Sequence, residues 1–459
     1  MPLTELMYMG GDHPFLLDQG QVVPFTRFAE KAAGIYAWLE TQPSQIAGLP
    51  NVYSLFAKDP FLLGASLLAL WHFGASAILL PNDQPETVTQ SLGVSVGFIS
   101  DNSATKGSNI LDLKQVKAAP QPVWGKLDPE QNAVSLFTSG SSGEPKEIKK
   151  KLKHINEEIK ALETRFGPEL HDSVVTSSVY AVHLYGLLFR LLWPLAAHRV
   201  FERETQLMPE SFVASCKATP NQCFISGPAI LKRFCDFPHF PSGLKPNLVF
   251  SSGGPLAPKT SDQWLDLFGK RPIEILGSTE TGGIAEKHFT ASTSFWQAFA
   301  TVKIDQNKEK QLQVHSPFFA EPRDPFFIMG DAVEIIGDGQ FQLKGRVDRT
   351  VKIEEKRINL VEMEQKLAAF SGIKQVVLLE STRIFPLKKR QSIVAVAQVN
   401  PELVATDELR RRLISELKAH LRAWYLPQVI PRYWRFLDVL PLGPAGKPDY
   451  VTICKNLAE

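Results

Sequence analysis

The chain has 459 residues, enough for two to four structural units, because single cores rarely grow beyond about 250–300 residues. Hydrophobic residues make up 44% and charged residues 21%, which is the composition of a globular protein with a sizeable core. The formal net charge of +2 gives no general case for binding nucleic acid.

The N-terminal region contains one segment that resembles a membrane span. Residues 1–15 lack a basic stretch followed by an apolar one, so we expect no secretory signal there. Residues 61–80 carry no formal charge and could be interpreted as a transmembrane helix. We favour a core helix followed by a short buried strand, because Asp59-Pro60 is typical of a helix start and Gly74 of a helix end. We therefore expect no membrane span.

Apolar, strand-like runs alternate with amphipathic helical stretches through the first two-thirds of the chain. Strands are predicted at 133–137, 174–179, 247–252 and 273–278, and helices at 154–166 and 259–268. This alternation predicts a large α/β N-terminal domain with sheets flanked by helices.

The pattern changes after Gly330, where short strands and a hairpin turn at 337–339 are predicted. A helix at 360–370, strands at 375–380 and 392–399 and a helix at 408–424 complete a small α+β domain. We place the two domains at 1–347 and 348–459. From Arg349 onward, 19 Lys and Arg residues stand against 12 Asp and Glu residues, which indicates either an acidic partner or simply a solvated basic surface.

The four cysteines do not form a recognisable metal or disulfide pattern. Cys216, Cys223, Cys235 and Cys454 include no C-x-x-C pair and have no accompanying His cluster. We expect buried free thiols in a reducing cytoplasm.

A loop of small polar residues directly follows the strand at 133–137. Its sequence is Thr138-Ser139-Gly140-Ser141-Ser142-Gly143-Glu144-Pro145-Lys146. Backbone N–H groups and hydroxyls at close range form a nest for phosphate oxygens, and Lys146 adds positive charge. The spacing differs from the Walker pattern, which excludes an ordinary P-loop NTPase. Taken alone, the loop could equally be a linker.

Further motifs follow this loop in a fixed order. They are the segments 251–258, 277–283, 330–331, 345–348 and 444–447. Together with the loop they resemble the AMP-forming adenylating superfamily, which includes acyl-CoA synthetases, luciferases, aryl-acid ligases and stand-alone adenylation domains. The segment 352–358 also resembles short stand-alone acyl- or aryl-acid ligases of carrier-protein-dependent pathways, including aryl polyene-type and fatty-acid systems.

The resemblance implies ATP and Mg²⁺ as cofactors and assigns nucleotide contacts. Thr138, Ser139, Gly140, Ser141, Ser142, Gly143 and Lys146 would bind phosphates, and Gly253, Gly254 and Pro255 would lie beside adenine. Gly277 and Ser278 would also contact the nucleotide, and Thr279, the next residue, would bind the α-phosphate. Glu280 would hold Mg²⁺ between two anions, the carboxylate of the acid and the phosphate. Leu276 stands where many members carry an aromatic residue that stacks on adenine.

The remaining nucleotide motifs imply a mobile C-terminal domain. Asp331 would accept hydrogen bonds from ribose hydroxyls, and Arg346 and Arg357 would contact ribose or phosphate. Asp348 would be the hinge about which the small domain rotates between two half-reactions. Lys447 would stabilise charge in the adenylation transition state.

The residues implied for the acid pocket are His183, Tyr185, Gly186, Ser226 and Gly227. Amino-acid-activating relatives usually carry an Asp near this segment, and its absence here disfavours an amino-acid substrate. Aryl, cinnamyl-type and fatty acids remain open.

The acceptor is predicted from charge and from one departure from the family pattern. Many CoA ligases have Gly at the position of Glu355, beside the pantetheine channel. We therefore expect transfer to the phosphopantetheine thiol of an acidic acyl carrier protein, with CoA as the alternative. A non-catalytic relative that binds nucleotide or carrier protein is a further alternative, favoured by Leu276 and Glu355. The region before Phe61 carries no recognised motif.

Overall fold

The computed structural model describes residues 1–42, 51–102, 109–139, 145–170, 172–219, 221–237, 240, 244–289, 294–319, 326–346, 350–354, 356–384, 391–441, 452–454 and 457. At positions 138, 139, 145, 218, 346, 357, 382 and 383 only the backbone is described. Contacts between Cα atoms divide the chain into two compact units. The first comprises residues 1–83, 88–137 and 147–347, and the second residues 84–87, 138–146 and 348–459.

The helices of the described residues are numbered in chain order. They are α1 (Leu6–Met9), α2 (Phe25–Glu40), α3 (Pro60–His72), α4 (Pro85–Leu92), α5 (Leu152–Phe166), α6 (Leu184–Gly186), α7 (Trp193–Ala196), α8 (Pro209–Ala218), α9 (Pro228–Cys235), α10 (Pro258–Phe268), α11 (Leu360–Ala368), α12 (Ser381–Ile384) and α13 (Asp407–Arg422). A π-helical segment, Leu187–Leu192, joins α6 to α7. Short 3-10 turns lie at Leu3–Glu5, Gly167–Glu169, Pro401–Val404 and Pro427–Val429.

The strands are likewise numbered in chain order. They are β1 (Pro14–Asp18), β2 (Gln21–Pro24), β3 (Val52–Phe56), β4 (Ser76–Leu79), β5 (Gly97–Ser100), β6 (Ile110–Asp112), β7 (Asn132–Ser139), β8 (Pro145–Lys151), β9 (Val174–Ser177), β10 (Phe201–Thr205), β11 (Gln222–Ser226), β12 (Leu248–Ser251), β13 (Ile273–Ser278), β14 (Gly282–Phe289), β15 (Ser294–Ala298), β16 (Lys303–Gln306), β17 (Gln311–His315), β18 (Phe327–Gly337), β19 (Gln340–Arg346), β20 (Thr350–Ile353), β21 (Lys356–Asn359), β22 (Ile373–Glu380), β23 (Ile393–Val399) and β24 (Tyr433–Leu437).

The uncharged segment 61–80 folds as a core helix and a buried strand, as predicted. The Asp59 carboxylate caps α3 by accepting from the backbone N–H of Phe61 at 2.9 Å, and Pro60 occupies the first turn. Gly74 has φ +76°, which ends the turn after α3, and every residue of β4 is buried. No helix among the described residues is long and apolar enough to cross a membrane.

Two sheets organise the first unit. One has the strand order β6-β5-β3-β4-β7-β8, and its inner strands run parallel. The other has the order β16-β17-β18-β19-β15-β14-β13-β12-β11-β9-β10-β1-β2. Strands β1, β10, β9, β11, β12 and β13 form its parallel part, whereas β13 to β19 pair antiparallel. The predicted α/β architecture is confirmed.

Helix α5 packs on the second sheet through a face that carries both apolar and charged side chains. Its apolar positions, Leu152, Ile155, Ile159, Leu162 and Phe166, are buried and recur at helical spacing. Near its end the Arg165 guanidinium donates to both carboxylate oxygens of Glu286 in β14, at 2.6 and 3.1 Å. This bidentate pair fixes α5 against β14.

The second unit has its own core and two small sheets. Strands β20 and β21 form a hairpin, and β22-β23-β24 form a three-stranded sheet. Helices α11 and α13 bury Met363, Leu367, Leu417 and Leu421 in that core. The predicted small α+β unit is thus present. The domain limits at 1–347 and 348–459 stay a prediction, because residues 84–87 and 138–146 group with the second unit.

Candidate active site

The parallel strands of the large sheet end together at one edge. Cα pairing sets Ser177 of β9 opposite Ile225 of β11, and Ser226 of β11 opposite Ser251 of β12. The Ser178 and Ser226 hydroxyls hydrogen-bond at 2.8 Å, and the Ser252 hydroxyl donates to the Ile275 carbonyl at 2.8 Å. In open α/β sheets, ligands bind outside the carboxyl ends of parallel strands, so this edge is the candidate active site.

The edge collects predicted residues from four separated stretches of sequence. The residues predicted for the acid pocket follow two strands: His183, Tyr185 and Gly186 come after β9, and Ser226 and Gly227 lie at the end of β11. The residues predicted for the nucleotide follow the next two strands. Gly253, Gly254 and Pro255 come after β12, and Leu276, Gly277, Ser278, Thr279 and Glu280 lie at the end of β13 and just beyond it. Residues predicted for the acid pocket and for the nucleotide therefore share one edge.

The segment after β9 folds back tightly on itself. A Cβ atom on Gly186 would lie 2.1 Å from the Tyr180 carbonyl oxygen, so only glycine fits there. The Tyr185 ring packs against Phe189, with centroids 4.9 Å apart. The His183 side chain is exposed, and its backbone carbonyl accepts from the Leu187 N–H at 2.7 Å.

The guanidinium of Arg190 stabilises this segment through hydrogen bonds to backbone carbonyls. Arg190 lies in the π-helical segment and is fully buried. It donates to the Val179 carbonyl at 2.8 Å and to the carbonyls of Arg203 and Glu204 at 2.8 and 3.1 Å. Burial lowers the pKa of Arg190 to about 10, so the group stays charged at neutral pH.

The hairpin between β13 and β14 presents Thr279 and Glu280 at its tip. Ser278 pairs with Gly282, which leaves three connecting residues. The buried Thr281 closes the turn: its hydroxyl accepts from the Ser278 N–H at 3.2 Å, and its own N–H donates to the Ser278 hydroxyl at 3.1 Å. Thr279 and Glu280 are half-buried on this closed turn.

Two buried charged residues lie beneath the hairpin. The Glu158 carboxylate of α5 accepts from the Gly283 N–H at 2.6 Å, and its other oxygen has no hydrogen-bond partner among the described residues. The Lys150 ammonium of β8 donates to the Phe318 carbonyl at 2.9 Å and to the Glu280 carbonyl at 3.4 Å. Glu158 is 1% exposed and Lys150 0%, so both interact with the hairpin in a dry environment.

Burial shifts the pKa of each residue in the direction that favours its neutral form. Desolvation raises the pKa of Glu158 to about 7, against the opposing effects of Lys150 and of the Gly283 hydrogen bond. Desolvation lowers the pKa of Lys150, against the attraction of Glu158 and Glu280. Strongly perturbed pKa values cluster at functional sites.

Gly282 is required by the same contact. Its φ of +73° disfavours any residue with a Cβ, and a Cβ there would lie 2.4 Å from Glu158 Oε2. The glycine of the motif is therefore explained by the carboxylate that packs against it.

Leu276 contributes to the core more than to the edge. It pairs with Ala285 of β14, is 8% exposed and belongs to the main hydrophobic cluster. Its position in β13 agrees with the sequence, but its side chain offers little surface on which a purine could stack.

Asp331 and Arg346 are direct cross-strand neighbours. Asp331 of β18 is 8% exposed and pairs in register with Arg346 of β19, of which only the backbone is described. In the second unit, Arg357 of β21 pairs with Lys352 of β20, again with only the Arg357 backbone described.

Several predicted site residues lie outside the described residues. These are Gly140, Ser141, Ser142, Gly143, Asp348, Glu355 and Lys447, whereas Thr138 and Ser139 have a described backbone only. Lys146 lies at the start of β8 with an exposed side chain. The assigned roles of these residues stay predictions.

The sequence interpretation missed Lys150, Glu158 and Arg190. A signal for Glu158 was available, because it occupies the same helical face as Ile155, Ile159 and Leu162. A charged residue on an apolar face must find a partner in the fold. Lys150 stands within the run Lys149-Lys150-Lys151, where nothing in the sequence distinguishes the buried member.

Cysteines and metal ligands add no second site among the described residues. No group of three His, Cys, Asp or Glu side chains there could hold a metal ion. The four cysteines are free, and Cys216 and Cys223 are buried. Burial raises the pKa of Cys216 to about 12, which keeps it as an unreactive thiol.

The fold and the strand-end edge define an α/β enzyme with a second, smaller unit. The chain belongs to the AMP-binding enzyme family, whose model matches residues 68–311. This match confirms the family assignment made from the motifs.

Curated relatives agree with this assignment, and a solved structure shares the fold. The chain is 31% identical to surfactin synthase subunit 3 of Bacillus subtilis (strain 168) over 145 residues, 32% of this chain but only 10% of that protein. It is 20% identical to the D-alanine–D-alanyl carrier protein ligase of Staphylococcus haemolyticus (strain JCSC1435) over 413 residues, 82% of this chain and 83% of that protein. A structure of o-succinylbenzoate CoA synthetase from Bacillus subtilis superimposes with a TM-score of 0.80 at 14% identity, covering 98% of this chain and 97% of that chain.

Proposed function

We propose that the protein uses ATP to convert a carboxylic acid to an acyl-adenylate and then transfers the acyl group to a thiol. The observation that carries this proposal is the shared strand-end edge, where the segments after β9 and β11 meet those after β12 and β13. An adenylating enzyme must hold an acid and a nucleotide side by side, because proximity and orientation supply much of the rate.

Two displacements make up the proposed reaction. A carboxylate oxygen of the acid forms a bond to the α-phosphorus of ATP, and the bond to the leaving pyrophosphate breaks. The thiolate sulfur of the acceptor then attacks the acyl carbon, and AMP leaves with the bonding electron pair. Thr279 would bind the α-phosphate, and Lys447 would stabilise the charge that develops in the first step.

Glu280 fits a Mg²⁺ ion that is shared with the substrate. Mg²⁺ commonly binds one or two carboxylates together with substrate phosphates, so a three-residue protein cage is not required. The Glu280 carboxylate lies half-buried at the hairpin tip and forms no ion pair with a described residue. The ion would neutralise charge between the attacking carboxylate and the phosphates.

Replacement of Glu280 tests this role. We expect Glu280→Gln to lower the rate of ATP–pyrophosphate exchange by about a hundredfold, because a charge that stabilises the transition state is lost. The matched control is Glu309→Gln, which makes the same change at an exposed turn between β16 and β17. Equal exchange rates in both variants would contradict the assignment of Glu280.

The acid is proposed to be aryl, cinnamyl-type or fatty. The half-buried Tyr185 ring supplies aromatic surface beside the strand ends, and the segment 180–186 contains no Asp that could pair with a substrate amine. The relatives named for surfactin and D-alanyl carrier protein make an amino acid the competing candidate. D-alanine therefore belongs in any substrate panel.

We propose the phosphopantetheine thiol of an acidic carrier protein as the acceptor. A surface cavity of about 230 Å³ in the second unit is lined by Lys418, Arg422 and Arg432 and by no acidic residue. The D-alanyl carrier protein ligase is a relative that covers most of the chain. Free CoA is the alternative, and a CoA synthetase shares the fold.

A competition between acceptors tests this choice. With adenylate formed in place, we expect transfer to carrier protein to exceed transfer to CoA. The double variant Arg422→Ala/Arg432→Ala should raise KM for the carrier about tenfold at low salt and leave pyrophosphate exchange unchanged, because complementary charge mainly controls association. The control Arg410→Ala/Arg411→Ala removes the same charge from α13 outside the cavity. Faster turnover with CoA would contradict the carrier assignment.

A further inference from the structure

The Glu158 and Lys150 side chains hydrogen-bond to two backbone groups of the hairpin between β13 and β14, the Gly283 N–H and the Glu280 carbonyl. Glu158 comes from α5 and reaches Gly283, the second residue of β14. Lys150 comes from β8 and reaches the Glu280 carbonyl and the Phe318 carbonyl. The two residues therefore connect the hairpin to β8, α5 and the turn after β17.

We propose that Glu158 and Lys150 are positioning residues for the nucleotide. Glu158 fixes the amide of Gly283 and Lys150 fixes the carbonyl of Glu280, so that Thr279 and Glu280 keep one geometry. This inference rests on the proposed function for the meaning of Thr279 and Glu280, but it concerns residues that the motifs do not include. A small displacement of such groups lowers activity strongly, because catalysis depends on orientation.

A structural reason favours positioning over simple packing. Two buried charges are expensive to desolvate, and an apolar pair of similar volume would often give equal or greater stability. The Glu158 oxygen that faces Gly282 has no partner, so this arrangement is not optimised for stability alone. What the pair does provide is one directed contact on each side of Thr281.

The contact with Gly283 should strengthen when Glu158 ionises. A carboxylate accepts a backbone hydrogen bond more strongly than a neutral acid does. Among the described residues, Lys150 from β8 is the charged group that acts on Glu158; the Gly283 N–H of β14 donates to the same carboxylate, and Glu280 acts on Lys150. Because the pKa of Glu158 is about 7, the hairpin should be held more firmly at pH 8 than at pH 6.

The test measures the affinity for MgATP by titration calorimetry from pH 6 to 8. We expect Glu158→Gln to bind MgATP about tenfold more weakly than wild type at pH 8 and to lose the part of the pH dependence that centres near 7. Lys150→Met should weaken binding at every pH. Glu157→Gln, the same change one residue earlier on α5, should behave as wild type. Protonation of the nucleotide itself between pH 6 and 8 affects every variant equally, so this control accounts for it.

The outcomes separate this inference from the proposed function. If Glu158→Gln keeps the wild-type affinity and pH dependence, or if Glu157→Gln changes both equally, the positioning role is wrong. Glu158→Gln is nearly isosteric, so it decides the question even if Lys150→Met does not fold. A wild-type chain that binds MgATP but exchanges no pyrophosphate would overturn the proposed function and leave the affinity comparison valid. A wild-type chain that binds no MgATP would overturn both.

Discussion

At the scale of single residues, the hairpin that carries Thr279 and Glu280 depends on what lies behind it. Thr281 closes the turn with three hydrogen bonds to Ser278, and Glu158 occupies the space that a side chain at position 282 would need. The motif glycine is therefore a packing requirement set by a residue more than a hundred positions away.

Substitution of this glycine should be costly in a way that a comparable glycine is not. Gly282→Ala combines an unfavourable positive φ with a contact of 2.4 Å to Glu158, and we expect a loss of about 2–5 kcal/mol in the free energy of unfolding. Gly74→Ala, at φ +76° with open space around it, should lose only about 1–2 kcal/mol. Urea unfolding of both variants measures the difference, and equal losses would contradict the steric account.

Individual residues also show what could and could not be predicted from the sequence. The order of motifs predicted one site for Thr279, Glu280 and Gly253, and these residues follow the neighbouring strands β12 and β13, while their roles stay predictions. It could not identify Lys150 among three consecutive lysines, since burial depends on the turn after β17 and on the hairpin, which are distant in sequence. Leu276 stands in the sequence where many family members carry a stacking aromatic residue, and its side chain packs mainly in the core.

At the scale of secondary-structure elements, local sequence patterns predicted helices and strands better than they predicted how the strands pair. The strand at 273–278 matches β13, and the helix at 154–166 begins only two residues earlier in α5. Periodicity and turn residues were sufficient for these elements. The π-helical segment Leu187–Leu192 was not predicted; Arg190 within it is buried and donates to carbonyls of β10, which is distant from any local sequence signal.

Helix α5 should contribute a distinct pH dependence to stability through Glu158. Since burial raises its pKa from 4.5 to about 7, the folded state binds more protons than the unfolded state between these values. The free energy of unfolding of the wild type, relative to Glu158→Gln, should therefore fall by roughly 3 kcal/mol as pH rises from 4.5 to 7.

The comparison with the variant is essential for this measurement. His72 and His154 have pKa values lowered to about 4 by burial, and their contributions rise with pH over much of the same range. Subtracting the variant removes these contributions, which both proteins share. Urea unfolding at several pH values provides the data, and a difference that rises with pH would contradict the assigned direction.

At the scale of the whole molecule, charge and chemistry are distributed unequally. The segment from Arg349 onward carries the excess of basic residues, and the cavity with Lys418, Arg422 and Arg432 lies within it. The strand-end edge, the hairpin and the buried pair all lie in the first unit. The sequence predicted both units, because their hydrophobic patterns differ, whereas strand order in the large sheet depends on pairings between distant segments.

The central claim is that this chain forms an acyl-adenylate, and ATP–pyrophosphate exchange tests it most directly. The assay would offer aryl, cinnamyl-type and fatty acids, with D-alanine as the competing substrate, in the presence of Mg²⁺. The account predicts exchange with one class of carboxylic acid and little or none with D-alanine. Measurable ATP binding without exchange for any acid would contradict the account and favour a non-catalytic role.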